Sequence, residues 1–176
     1  RIVLTHAHFD HAGGAARMVD ETSADGVDVH ADEAHYVRTG TRPPGDSAST
    51  AGRLLARAPW GDFTATPVAE ELVDGQLIDV AGGLRVLHTP GHTPGHISLL
   101  HPRSGVLITG DSIFNMNARM SWPTKLACTS FRQNVQTAHV LGEIEYAVAA
   151  FTHGPEIRDD AREQVRGFLA KASRGA

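Results

Sequence analysis

The chain has 176 residues, 41% of them hydrophobic and 20% charged, which suits one globular domain spanning 1-176 with a core of its own. A formal net charge of -4 argues against nucleic acid as a partner, and no apolar run approaches the ~18 residues of a membrane span. The single cysteine, Cys128, has no partner for an internal disulfide, and no signal peptide is visible, so a reducing, cytoplasmic setting is expected.

Short apolar runs alternate with helical patterns. Ile2 to Thr5 reads as a buried strand, being short, apolar and followed at once by polar residues. Arg1 precedes it directly, so the chain is expected to be a fragment or processed form without its N-terminal segment. Gly13-Gly14 opens a helix to about Asp20. Val27 to Ala31 is a strand and Asp32 to Val37 a short helix. Thr39 to Ser49, with Pro43-Pro44-Gly45, reads as an exposed loop. Leu77 to Val80, Leu84 to His88, Ile97 to His101 and Val106 to Thr109 are close-spaced strands. Gly82-Gly83 and Arg103-Ser104-Gly105 supply turns between them. Ser130 with Gln133 three residues on matches a capping box, predicting a helix to about Leu141. Val148 to Thr152 is a further strand. Asp160 to Lys171 predicts a helix whose Ala161, Val165, Phe168, Leu169 and Ala172 share one face.

Eleven histidines are the unusual entry in the composition, and they cluster. His6, His8, Asp10 and His11 fall within six residues, directly after the first strand. His6 and His8 point the same way from an extended backbone. Once the chain turns, Asp10 and His11 face a neighbouring position, so one loop can serve two adjacent metals. The second cluster is His88-Thr89-Pro90-Gly91-His92-Thr93-Pro94-Gly95-His96, a Pro/Gly-rich loop between two strands. On spacing alone His88, His92 and His96 compete for a ligand role there. Asp111 follows an apolar strand after Gly110; by itself it reads more simply as a turn or cap residue. His153 again follows a strand, before Gly154-Pro155. The recurrence gives these positions weight, because strand ends on one side of a sheet converge in space.

The pattern His6-x-His8-x-Asp10-His11, followed by His92, Asp111 and His153 on later strand ends, resembles the metallo-beta-lactamase superfamily over essentially the whole chain. The resemblance implies an α/β fold, an αββα sandwich with metals at one edge between the sheets, here expected to lack its N-terminal strands. It selects His92, in Pro-Gly-His-Thr, over His88 and His96. It assigns His6, His8 and His92 to one metal, Asp10, His11 and His153 to a second, and Asp111 to both. Two zinc ions are the expected cofactors, with iron or manganese as alternatives, since nitrogen and carboxylate donors suit all three. The implied chemistry is a binuclear zinc site that activates a hydroxide to attack a carbonyl, with Asp10 orienting it and accepting its proton.

The expected partner is a small-molecule ester, thioester or lactone. Antibiotic-hydrolysing members usually lack an aspartate at the bridging position, so Asp111 points away from β-lactams. Glyoxalase II-like thioesterases and lactonases share it. Acyl-homoserine lactonases often have tyrosine three residues later, where this chain has Phe114. Nuclease members carry an extra domain or insertion that is not visible here. Two other readings stand beside these: an iron redox enzyme on the same scaffold, such as a persulfide dioxygenase, and an inactive metal-binding fragment.

Overall fold

The computed structural model describes residues 1-46 and 61-172, the side chain of Ala172 excepted. Positions 47-49 of the expected loop, and the Ala172 side chain expected on the apolar helix face, lie outside the described residues. The smaller sheet is built on β1 (Val27–His30). It pairs in parallel with β2 (Val68–Leu72) and, on its other edge, through a bridge from Val3 to Asp28. The larger sheet contains β3 (Leu77–Ile78), β4 (Leu84–His88), β5 (Ile97–His101), β6 (Val106–Ile108) and β9 (Val148–Ala150), in the order β3-β4-β5-β6-β9. Its pairs are antiparallel except β6 with β9, which is parallel. A separate hairpin joins β7 (Phe114–Met116) to β8 (Arg119–Ser121).

Side chains alternate across a strand, and here the alternation sorts apolar residues into layers. Val86, Leu99 and Ile108 face inward, onto Val3 and Leu72 of the smaller sheet. Their neighbours Leu87, Leu100 and Leu107 face outward. There they meet Ala138 of α4 (Phe131–Ala138), Leu141 of α5 (Val140–Glu143), and Ala161, Val165 and Leu169 of α6 (Ala161–Ala172). Beyond the smaller sheet, Ala15 and Val19 of α2 (Ala15–Thr22) and Ala34 and Val37 of α3 (Ala31–Thr39) pack on Leu4, Val27 and Val29. Helices therefore cover both outer faces of two stacked sheets, which is the αββα order. No helix among the described residues is long and apolar enough to cross a membrane.

β4 and β5 match the sequence reading residue for residue, whereas several other elements differ. Ile2–Thr5 is extended but pairs as a single bridge. Leu4 N donates to Asp28 O at 2.9 Å, while Thr5 O already accepts from Ile97 N on the larger sheet at 2.9 Å. The segment crosses from one sheet to the other rather than running along either. A short helix, α1 (Phe9–Ala12), takes up the second half of the first histidine cluster. The helix begun at Ser130, whose Oγ accepts from Gln133 N at 3.3 Å, stops at Ala138 and resumes at Val140. His139 keeps helical dihedrals, so the axis continues through a slip in hydrogen bonding. β2 escaped the sequence reading because Val-Ala-Glu-Glu-Leu shows neither strand alternation nor β-branched enrichment.

Leu107 is fully buried at the centre of the larger sheet. Leu107→Ala should lower unfolding free energy by about 2–5 kcal/mol, the range for a buried leucine truncation, as read from denaturant unfolding followed by circular dichroism.

Candidate metal centre

The crossing segment Ile2–Thr5 delivers His6 and His8 to the edge where the two sheets meet. β4 ends at His88, and the loop before β5 carries His92. β6 ends in a single 3-10 turn, Gly110–Ser112, that holds Asp111. β9 lies beside β6 in parallel, so the residues after both strands emerge on the same side, Asp111 from one and His153 from the other.

The structure brings all seven predicted residues together in two groups. His6 Nε2 lies 3.1 Å from His8 Nδ1, which lies 2.9 Å from His92 Nε2. In the second group His153 Nε2 and His11 Nε2 lie 3.3 and 3.6 Å from Asp10 Oδ2. Asp111 stands between them: Oδ2 is 3.3 Å from His92 Nε2 and 3.4 Å from His153 Nε2, and Oδ1 is 3.4 Å from His11 Nε2. Donors bound to one tetrahedral zinc at about 2.0–2.1 Å sit roughly 3.3 Å apart, so these spacings fit shared ions. His11 Nε2 is buried and makes no hydrogen bond, an unmet ligand atom aimed into the cluster.

Electrostatics prepare His6 and His8 as ligands, whereas at His11 the effect of burial is outweighed by Asp111, which pushes that ring up. Burial, reinforced by neighbouring histidines, pushes His6 well down and His8 and His96 to about 3, so their rings are neutral at physiological pH. Burial alone would raise Asp111, but the imidazoles of His11 and His92 beside its oxygens outweigh it and hold the carboxyl well below the usual range. Asp111 is thus an anion at any physiological pH.

The other two histidines of the loop take different places. His96 is fully buried; its Nε2 accepts the backbone N–H of Asp111 at 2.7 Å. Its Nδ1 therefore carries the proton and donates to Thr89 O at 3.1 Å. Gly110 makes room for this ring: at φ +55°, a Cβ there would meet His96 Nε2 at 2.5 Å. His88 lies apart, stacked on His30 with ring centroids 3.8 Å apart, near Asp32. The rings are within 15° of parallel, so their in-plane lone pairs run side by side rather than converging on one ion.

Sequence reasoning missed several contributors. Thr152 Oγ1 donates to Asp111 Oδ1 at 2.5 Å; its place one residue before His153 was the available signal. Cys128 Sγ lies 3.7 Å from His92 Nδ1, behind the ring; nothing in its sequence context marks it. Glu33, fully buried on α3, contacts the loops of both histidine clusters. Burial pushes its carboxyl up to about 7, against the Thr93 side chain and the backbone N–H groups of Gly95 and Ala7, which pull it down. Its signal was a carboxylate on the same helical stripe as the buried Ala34 and Val37. Next to the site, a cavity of about 440 Å³ is lined by His8, Phe9, Asp10, Arg42, Pro43 and Leu126, among others. Asp10 and His153 are the site residues most open to solvent.

The sequence model of the metallo-beta-lactamase superfamily matches residues 1–163. The chain is 24% identical over 156 residues to the probable metallo-hydrolase YybB of Bacillus subtilis, covering 89% of this chain and 64% of that protein. It is 36% identical over 117 residues to a hydroxyacylglutathione hydrolase of Cereibacter sphaeroides, covering 66% of this chain and 34% of the relative. The chain thus spans from 34% to 64% of the length of these two curated relatives. Among solved structures it resembles BLEG-1, described as a B3 metallo-beta-lactamase. The TM-score there is 0.68, with 29% identity, 96% of this chain covered and 76% of the other.

Burial pushes the Cys128 thiol up to about 12, so almost none of it is thiolate near neutrality. The native protein at pH 8 should leave a thiol-reactive disulfide reagent essentially unconsumed, and unfolding it should release one reactive thiol per chain. Rapid labelling of the native form would show that Cys128 is not packed behind His92.

Proposed function

The chain belongs to the metallo-beta-lactamase superfamily, and from that premise we propose a metal-dependent hydrolase that uses two ions, zinc in the first instance, to cleave a small ester, thioester or lactone. His6, His8 and His92 would hold one ion, and Asp10, His11 and His153 the other, with Asp111, whose carboxylate stands between the two groups, serving both. What supports this reading most is that carboxylate, buried between two groups of nitrogen donors at spacings that suit shared ions. Divalent ions bound there supply a coordinated water acidic enough to ionise near neutral pH and a Lewis acid for the substrate carbonyl.

The chain's own residues do the rest. Asp10 is half-exposed and lines the cavity beside His153. It is placed to orient the attacking water and take up its proton. Phe9, Pro43 and Leu126 give the cavity apolar walls, and its volume falls within the usual range for small-molecule sites. Thr152 and His96 fix the Asp111 carboxylate and backbone, as partners behind metal ligands commonly do. The similarity to a hydroxyacylglutathione hydrolase supports a thioester among the candidate substrates. The likeness to a B3 metallo-beta-lactamase adds β-lactams to the compounds worth testing, although the acidic Asp111 bridge favours the former group.

Purified protein should hold close to two divalent ions per chain by elemental analysis, and His11→Ala or His153→Ala should lose one of them. A single ion indifferent to both changes would sink the two-metal reading. Asp111→Ala should loosen the second ion and lower turnover by at least the ~10- to 100-fold typical of changes around metal ligands. The substrate class is tested by a panel of esters, thioesters, lactones, β-lactams and a phosphodiester, run with an oxygen-uptake assay. Activity on the first three supports the proposal; robust nuclease or oxygen-consuming activity without them refutes it.

A further inference from the structure

We propose that Glu33 is a positioning residue that clasps the two metal-binding loops together and so sets the geometry of the three-histidine group. This rests on the metal-site reading above. Glu33 sits in the first turn of α3 with its side chain fully buried. Each carboxylate oxygen takes one backbone N–H: Oε2 accepts from Ala7 N and Oε1 from Gly95 N, both at 2.8 Å. Ala7 lies between His6 and His8. Gly95 lies between His92 and His96. One planar carboxylate thus ties the loop from the smaller sheet to the loop from the larger one, 88 residues apart in sequence.

The fit is close on the loop side. A Cβ at Gly95 would lie 2.7 Å from both Glu33 Cγ and Glu33 N, so the loop backbone rests directly on the base of the Glu33 side chain. The result of the clasp is visible at the donors, where His8 Nδ1 and His92 Nε2, carried by the two different loops, stand 2.9 Å apart. Ligand sets of this kind tolerate displacements of only about half an ångström before affinity suffers. Free loops would have to be ordered by the ion itself, at the expense of its affinity. One backbone bond, Ile97 N to Thr5 O at 2.9 Å, braces the same two segments, so loss of the clasp should weaken the site without abolishing it. A buried carboxylate is a costly way to fill space, and an apolar side chain of the same size would pack as well. What only the carboxylate supplies is two acceptors on one rigid plane.

Glutamine can accept through one oxygen only and sets its NH2 group against the second N–H. Aspartate keeps both acceptors but is one methylene short. The test uses zinc alone as probe. Zinc affinity is measured by competition with a chromophoric chelator for the parent, Glu33→Gln, Glu33→Asp and Val165→Ala, and each variant's stability is measured by thermal unfolding. Val165 is buried in the outer helical layer, away from the site, and provides a variant destabilised for ordinary packing reasons. The expected result is zinc binding weakened about 10- to 100-fold in Glu33→Gln, less in Glu33→Asp, and within about twofold of the parent in Val165→Ala. If Glu33→Gln does not fold, Glu33→Asp carries the same comparison. Zinc affinity within twofold of the parent in a folded Glu33 variant, whatever its loss of stability, overturns the proposal. A parent that binds no zinc overturns the metal-site reading and this inference with it, which separates the two failures.

Discussion

A carboxylate removed from water must be met by hydrogen-bond donors or positive charge, or it does not stay ionised. Asp111 is such a group. It is buried at the meeting point of two sheets, and three imidazoles stand within 3.4 Å of its oxygens. Much of the surrounding architecture serves that demand. Thr152 gives it a hydroxyl, and His96 takes its backbone N–H, held in one tautomer by Thr89. Gly110 has no side chain to keep the His96 ring away. The same carboxylate stands at ligand spacing between two groups of histidine and aspartate donors, which makes the cluster a candidate cation site.

The position of the site follows from how strands end. The apolar alternation of β4, β5 and β6 divides the larger sheet into an inner and an outer face, and packing the inner face on the smaller sheet leaves one edge where loops from both sheets meet. Loops at such an edge are free of strand pairing yet anchored within a residue or two of rigid backbone. That combination suits metal ligands, whose donors must be exposed to an ion and still be fixed.

Much of this was legible in the sequence because it rests on local signals. Leu84–His88 and Ile97–His101 are short apolar runs bounded by glycine and proline turns, and they fold as read. The seven site residues were legible because His and Asp recur at strand ends, a pattern that survives without knowledge of the fold. What stayed hidden depends on tertiary context. The segment Ile2–Thr5 has strand composition, but its hydrogen bonds are divided between two sheets, a division that pattern alone does not carry. The choice among His88, His92 and His96 was open on spacing, because three histidines in one loop differ only in where the loop turns. Glu33 had only a faint signal for a similar reason: a glutamate at a helix start looks solvated until the two loops that surround it are in place.

The parallel pairing of β6 with β9 bears on the order in which the chain folds. β4, β5 and β6 are neighbours in sequence joined by short turns, so their pairing closes small loops quickly. β9 joins β6 only after the chain has passed through the hairpin and two helices, a non-local step of the kind that slows folding. His92 and Asp111 are therefore presented early, whereas His153 arrives with the last strand. The more solvent-open of the two donor groups is the one completed last, so a folding intermediate short of β9 would lack His153 of the Asp10, His11 and His153 group.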